Sequence, residues 1–301
     1  MSSGPLLSQQ LPLLLAQLFH LPKLAIHGHI ILLSAFVCHT IYRLSNTLSL
    51  RLPGPARAHY ARLTPAKKAD WCIHVVSLLH SVIICWLAGR QVLAPWIDPS
   101  GPEALVRARL AGDKIGAYDA EAGFVHAIAC GYFLWDSIVS VYYVKQFGVG
   151  FAVHGIACLC IFAMSFKPFL NYYGTPFLLF ELSTPFLNIH WFCDKTGRSG
   201  SRLQLINGVV LVLVFFSARI CYGFYNSYDF FVMMHRNKSE ISNVFLWVYA
   251  VGNVLLNGLN VLWFFKMVTA IKARFNVAKK GDGGEMSRAS GGGSRKSKKS
   301  S

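Results

Sequence analysis

Seven apolar blocks alternate with short polar or charged stretches along the chain, at about 24–45, 71–89, 123–144, 150–166, 174–193, 203–225 and 241–267. Each is close to the roughly 20 residues with which a helix crosses a hydrocarbon core about 30 Å thick. The pattern therefore predicts an all-α integral membrane protein with seven transmembrane helices. Inside the blocks, polar residues recur at helical spacing. The second holds His74, Ser77, His80 and Ser81; the third Tyr132, Asp136 and Ser140; the fifth Glu181, Pro185 and Asn188; the sixth Arg219; the seventh Asn253, Asn257 and Asn260. Residues three, four or seven apart share a helix face. A stripe of amides and carboxylates facing lipid is costly, so these faces are expected to line a bundle interior.

Composition agrees. Hydrophobic residues make up 54% of the 301 positions and charged residues 14%, which leaves too little polar surface for a soluble domain of this size. The net charge of +16 does not imply nucleic-acid binding, because the basic residues lie in the loops and the tail. Residues 46–70 carry Arg51, Arg57, Arg62, Lys67 and Lys68 against one acid, whereas residues 90–122 carry four basic residues and five acids. Residues 194–202 are basic again, and nine Lys and Arg follow Ile271. Alternate loops are thus positive, which places the C-terminus in the cytosol and the N-terminus in the lumen. Six or eight spans would put the basic tail on the wrong side. The eight cysteines form no CxxC or Cys/His metal spacing and are read as small hydrophobes. No metal or cofactor is expected, and no secretory signal is recognised in the first residues.

Four regions follow: an N-terminal lead-in over 1–23, interfacial or disordered; a first span and basic loop over 24–67; a six-span bundle over 68–270; and a disordered basic cytosolic tail over 271–301. Asn237-Lys238-Ser239 is a glycosylation sequon in a stretch expected to be lumenal. Lys298 and Lys299 stand third and fourth from the C-terminus, like a dilysine retrieval signal, although a Lys/Ser-rich tail also produces that pattern by accident.

Depth along each helix, at 1.5 Å per residue, suggests which polar residues meet. Glu181 and Arg219 lie roughly 10 and 9 Å from the lumenal side, so an ion pair between them is expected. Asp136 and His80 lie roughly 14 and 15 Å from the cytosolic side, so a second pair is plausible by height. That pair is read either as a general-base couple or as a hydrogen bond locking two helices. His154 stands near the cytosolic end of the fourth span. His154, Asp136 and His80 are the catalytic candidates. Ser77, Tyr132, Glu181, Asn188, Arg219, Asn253 and Asn257 are the expected polar lining of a bundle cavity.

These residues also carry a resemblance. Trp71…His74-Val75-Val76-Ser77-Leu78-Leu79-His80-Ser81, Gly131-Tyr132-Phe133-Leu134-Trp135-Asp136, Phe180-Glu181-Leu182-Ser183-Thr184-Pro185-Phe186-Leu187-Asn188, Arg219 and Leu256-Asn257…Trp263 occur in that order. Over about 68–270 the chain resembles the TLC (TRAM–LAG–CLN) family, most closely the TLC domain-containing protein 4 subgroup and more distantly the ceramide synthases. The resemblance implies residence in the endoplasmic reticulum or other internal membranes and a part in lipid homeostasis. Ceramide synthases carry two adjacent histidines in the fourth span; here the two positions are His154 and Gly155, so the paired arrangement is missing.

The leading expectation is an endoplasmic reticulum membrane protein that binds or senses a lipid or acyl chain in a cavity lined by His80, Asp136, His154, Glu181, Asn188, Arg219 and Asn257. One alternative is acyl-CoA-dependent N-acyl transfer with His154 as base and Asp136 in support; the loss of the second histidine weighs against an enzyme. Another is a cargo receptor or partner-binding membrane protein. Membrane lipids are the expected partners. Acyl-CoA, a second copy of the chain and the coat-protein retrieval machinery are further candidates.

Overall fold

The computed structural model describes residues 7–290, and side chains over 10–271 apart from Pro55. The described residues are helical and connected by short turns, with no strand among them. Thirteen α-helices follow one another: α1 (Leu7–Leu18), α2 (Leu24–Ser49), α3 (Gly54–Ala61), α4 (Pro65–Ile97), α5 (Pro102–Gly112), α6 (Ala120–Tyr142), α7 (Val144–Phe147), α8 (Val149–Met164), α9 (Asn171–Leu178), α10 (Thr184–Lys195), α11 (Arg202–Phe215), α12 (Tyr222–Arg236) and α13 (Asn243–Ser290).

Among the described residues, five helical stretches are long and apolar enough to cross a membrane: Leu24–Ser49, Pro65–Ile97, Ala120–Tyr142, Arg202–Arg236 and Asn243–Ile271. The fourth expected span is present as the shorter apolar helix α8. The fifth is not one helix. A 3₁₀ segment, Leu179–Ser183, separates α9 from α10. The amide of Thr184 bonds the carbonyl of Glu181, three residues back, and Pro185 follows in the first turn of α10. A proline tolerates that place because its missing N–H would have had no helical partner there. The sixth span is continuous but changes winding: Phe216–Cys221 is a π turn between α11 and α12. Such a turn carries one extra residue and occurs often at functional sites.

The lead-in is α1, a helix packed on α2. Gly28 makes that approach possible, since a Cβ there would stand 2.7 Å from Cβ of Pro12. The Gly/Ala-rich stretch over 90–122 contains α5. It is tied to the bundle by Arg107, which donates to the Tyr172 carbonyl at 2.6 Å, and by Lys114, which donates to Asp229 at 2.9 Å. At the other end, α13 continues as helix to Ser290, into the stretch expected to be disordered. Lys298 and Lys299 lie outside the described residues.

α6 is the most enclosed span, with 61% of its apolar window buried against 6% for α13. It packs between α2 and α8, and α13 closes over α8 and the π turn. Phe133, Phe162, Phe166, Val76 and Ile84 form the centre of the main apolar core. Trp71, at the start of the second apolar block, is buried. Its indole donates to Ser49 at 3.0 Å and its ring packs edge-on to Phe192 and Trp191. An indole N–H with a buried acceptor can leave the interface without a desolvation penalty.

Candidate functional site

The centre of the site is Arg219, carried by the π turn and buried. Its Nε donates to the Phe180 carbonyl at 2.8 Å and to Ser183 Oγ at 3.2 Å. Nη1 donates to Asn260 Oδ1 at 3.1 Å, and Nη2 to Glu181 Oε1 at 3.4 Å and Thr184 Oγ1 at 3.3 Å. The guanidinium also lies 5.2 Å from the centroid of Phe215. The local folding explains the first contact. In the 3₁₀ segment the Thr184 amide goes to Glu181 rather than to Phe180, and the Phe180 carbonyl accepts from Arg219 Nε and, at 3.4 Å, from the Ser183 hydroxyl. One side chain thus answers a backbone carbonyl, a carboxylate, two hydroxyls and an amide. The Glu181–Arg219 pair expected from matched depth is present, and the hydrogen bonds around it are what make a buried ion pair tolerable.

Beside this node lies a cavity with about 70 Å³ of free interior. Its walls are mostly apolar: Phe133, Phe162, Leu170, Phe177, Phe180, Phe230 and Leu256 among them. The polar residues on it are His154 from α8, Ser165, Tyr173, Glu181, Arg219, and Asn253, Asn257 and Asn260 from α13. His154 stands edge-on to Trp263, ring centroids 5.2 Å apart, and within 3.8 Å of Cys158 Sγ. The asparagines form a ladder. Asn257 Nδ2 donates to Asn253 Oδ1 at 2.7 Å and to Ser227 Oγ at 2.8 Å, while its own Oδ1 and the Nδ2 of Asn260 have no hydrogen-bond partner. Leu170, on the same wall, holds a left-handed backbone conformation with φ 56°, which costs a non-glycine residue roughly 1–2 kcal/mol.

Several expected lining residues are elsewhere. His80 lies flat on Tyr132, ring centroids 3.8 Å apart and planes 8° from parallel, and no hydrogen bond or ion pair joins it to Asp136 among the described residues. Asp136 faces α8 at Gly155 instead. A Cβ at residue 155 would stand 2.9 Å from Asp136 Oδ2 and 3.3 Å from Ser137 Oγ, so this contact accepts only glycine without a shift. Height placed His80 and Asp136 together, but height does not fix the angle around the helix, and Tyr132 occupies the face that His80 meets. Asn188 likewise misses the cavity. It bridges α10 to α4, with Oδ1 2.7 Å from His74 Nδ1 and Nδ2 donating to Ser77 Oγ at 3.2 Å and to the Thr184 carbonyl at 2.9 Å. His74 completes this second cluster by stacking on Trp191 at 4.0 Å, with Nε2 3.6 Å from Asp70. The sequence signal for it was the His74–Ser77 spacing, which puts both on the face that Asn188 meets. Ser77 and Asn188 therefore belong to this cluster, not to the cavity, and Tyr132 to the contact with His80. Among the described residues no group of three or more metal-ligating side chains is assembled.

These features define an all-helical membrane protein with a broken span, an arginine on a π turn and an apolar cavity between them. Residues 70–269 match the TLC domain model, and the chain belongs to the TLC domain family. It is 36% identical over 277 residues to an uncharacterized TLC domain-containing protein of Schizosaccharomyces pombe, covering 92% of this chain and 90% of that protein. It is 31% identical over 222 residues to the Topoisomerase I damage affected protein 4 of Saccharomyces cerevisiae, covering 72% of this chain and 75% of that one. It is 29% identical over 208 residues to human TLC domain-containing protein 4, covering 67% and 73%. No solved structure matches the chain significantly.

Proposed function

We propose that this protein binds a lipid or acyl chain in the cavity between α8, the broken span and α13, and serves membrane-lipid homeostasis in the endoplasmic reticulum membrane. The observation that carries the reading is the cavity itself: apolar walls with its charged and amide groups gathered around Arg219. Apolar walls with a few convergent polar groups suit a guest that has an apolar chain and a polar head. At about 10–15 Å³ of such space per water-sized group, it has room for a polar head and the first few carbons of a chain. The endoplasmic reticulum assignment rests on the resemblance and on Lys298 and Lys299, through which the coat-protein retrieval machinery would act. Extraction and mass spectrometry of the purified full chain test the binding. A lipid at about one per chain is expected, lost when Leu256→Trp fills the cavity; no lipid above background defeats the reading. Lys298→Ser with Lys299→Ser is expected to move the protein out of the endoplasmic reticulum.

A second reading is acyl-CoA-dependent N-acyl transfer, favoured by the position of His154 on the cavity wall. Asp136 and Gly155 meet one residue along α8. Labelled acyl-CoA and sphinganine supplied to wild type and His154→Ala decide it: turnover that depends on His154 supports it, and none in either form rejects it.

A further inference from the structure

We infer that the occupant of this cavity carries an uncharged head group that both donates and accepts a hydrogen bond, a hydroxyl or a carboxamide, held by Asn257 Oδ1 and Asn260 Nδ2. The inference rests on the lipid-binding reading and adds the chemistry of the head. Two observations support it independently.

The first is charge. The only formally charged side chains on the cavity wall are Glu181 and Arg219, and they pair with each other at 3.4 Å. Arg219 already donates from Nε, Nη1 and Nη2, to Phe180, Ser183, Asn260, Glu181 and Thr184, which leaves one Nη1 N–H but no unpaired charge for a second anion. A carboxylate or phosphate brought here would be an uncompensated buried charge, which is the costliest group to desolvate. An ammonium would face the same penalty, because Glu181 is already neutralised.

The second is the unused hydrogen-bonding capacity. Asn260 is fixed in orientation, since Arg219 only donates and Oδ1 must be the atom that accepts from it. Its Nδ2 is therefore an available donor, buried and without a partner. Asn257 spends its Nδ2 on Asn253 Oδ1 and Ser227 Oγ, so its Oδ1 is the available acceptor. The two lie three residues apart on α13, neighbours on one face. Buried donors and acceptors left unpaired are costly, so a partner supplying one of each is selected over one that supplies neither.

The test is competition against a photoactivatable palmityl alcohol on the full chain in lipid nanodiscs. Hexadecanamide and monopalmitoylglycerol are expected to compete at least about tenfold better than palmitate or hexadecylamine of matched chain length. Asn260→Asp keeps the acceptor facing Arg219 and replaces the free donor by an anion. It is expected to lose about tenfold for the amide and to gain binding of hexadecylamine, a gain that misfolding does not produce. Palmitate competing as well as the amide, or Asn260→Asp leaving the ranking unchanged, overturns the inference while lipid binding stands. If the alcohol probe labels nothing that any of these lipids displaces, the lipid-binding reading falls and this inference with it.

Discussion

Arg219 Nε donates to the Phe180 carbonyl at 2.8 Å, and this bond joins a π turn in one helix to a 3₁₀ segment in another. Each irregularity supplies what the other needs. The 3₁₀ segment presents the Phe180 carbonyl and the Glu181 carboxylate as acceptors, and the π turn carries a cation to both. Arg219→Leu therefore leaves Glu181 as a buried charge without its partner, with an expected loss of about 3–5 kcal/mol of stability. Arg219→Lys is expected to rescue little, because one ammonium cannot reproduce a planar fork aimed at several acceptors. Adding Glu181→Leu to Arg219→Leu is expected to recover part of the loss. Thermal unfolding of the detergent-solubilised variants measures all three, and full additivity would remove the coupling.

The Asp136–Gly155 contact predicts that a second histidine cannot be installed by substitution alone. Gly155→Ala is expected to destabilise the fold by about 1–3 kcal/mol through overpacking, and Gly155→His by more. Asp136→Ala should relieve part of either effect. Melting temperatures of the single and double variants check this.

At the α4–α10 junction, His74 and Asn188 approach within 2.7 Å. Asn188→Leu removes the partner of a half-buried imidazole and of Ser77 at once, and is expected to cost about 1–3 kcal/mol. His74→Phe, which keeps a ring on Trp191, should cost much less once Asn188 is already Leu. A double-mutant cycle gives the coupling directly.

The bond from Lys114 to Asp229, at 2.9 Å, holds the α5 region to α12, and Tyr173 donates to the same carboxylate oxygen at 2.8 Å. Asp229→Asn weakens both contacts. Faster amide exchange over residues 102–119, with little change in α6, is the expected result of hydrogen–deuterium exchange.

Much of the frame was visible in the chain. Long apolar blocks predict spans whatever their neighbours, and two opposite charges at matched depth, Glu181 and Arg219, had few other ways to be satisfied. The π turn was not visible, because winding depends on packing and leaves no mark in composition. The break before Pro185 was visible only as polarity; its 3₁₀ winding, like the π turn, leaves no mark in composition. His80 and Asp136 were misjudged because residue counting gives height and leaves the facing direction open. The same gap hid the cluster at Asn188, whose true neighbours His74 and Ser77 are spaced one turn apart on α4.

The extra residue in the Phe216–Cys221 turn also changes the phase of a single span. One additional residue turns the helix by about 100° relative to its first half. Gln204 and Asn207, before the turn, address α10 by donating to the carbonyls of His190 and Phe186. After it, Ser227 accepts from Asn257 of α13. The span works as two recognition surfaces with different bearings, and a one-residue deletion within the turn would make them share a single bearing, so that only one of the two neighbouring helices could be met in register.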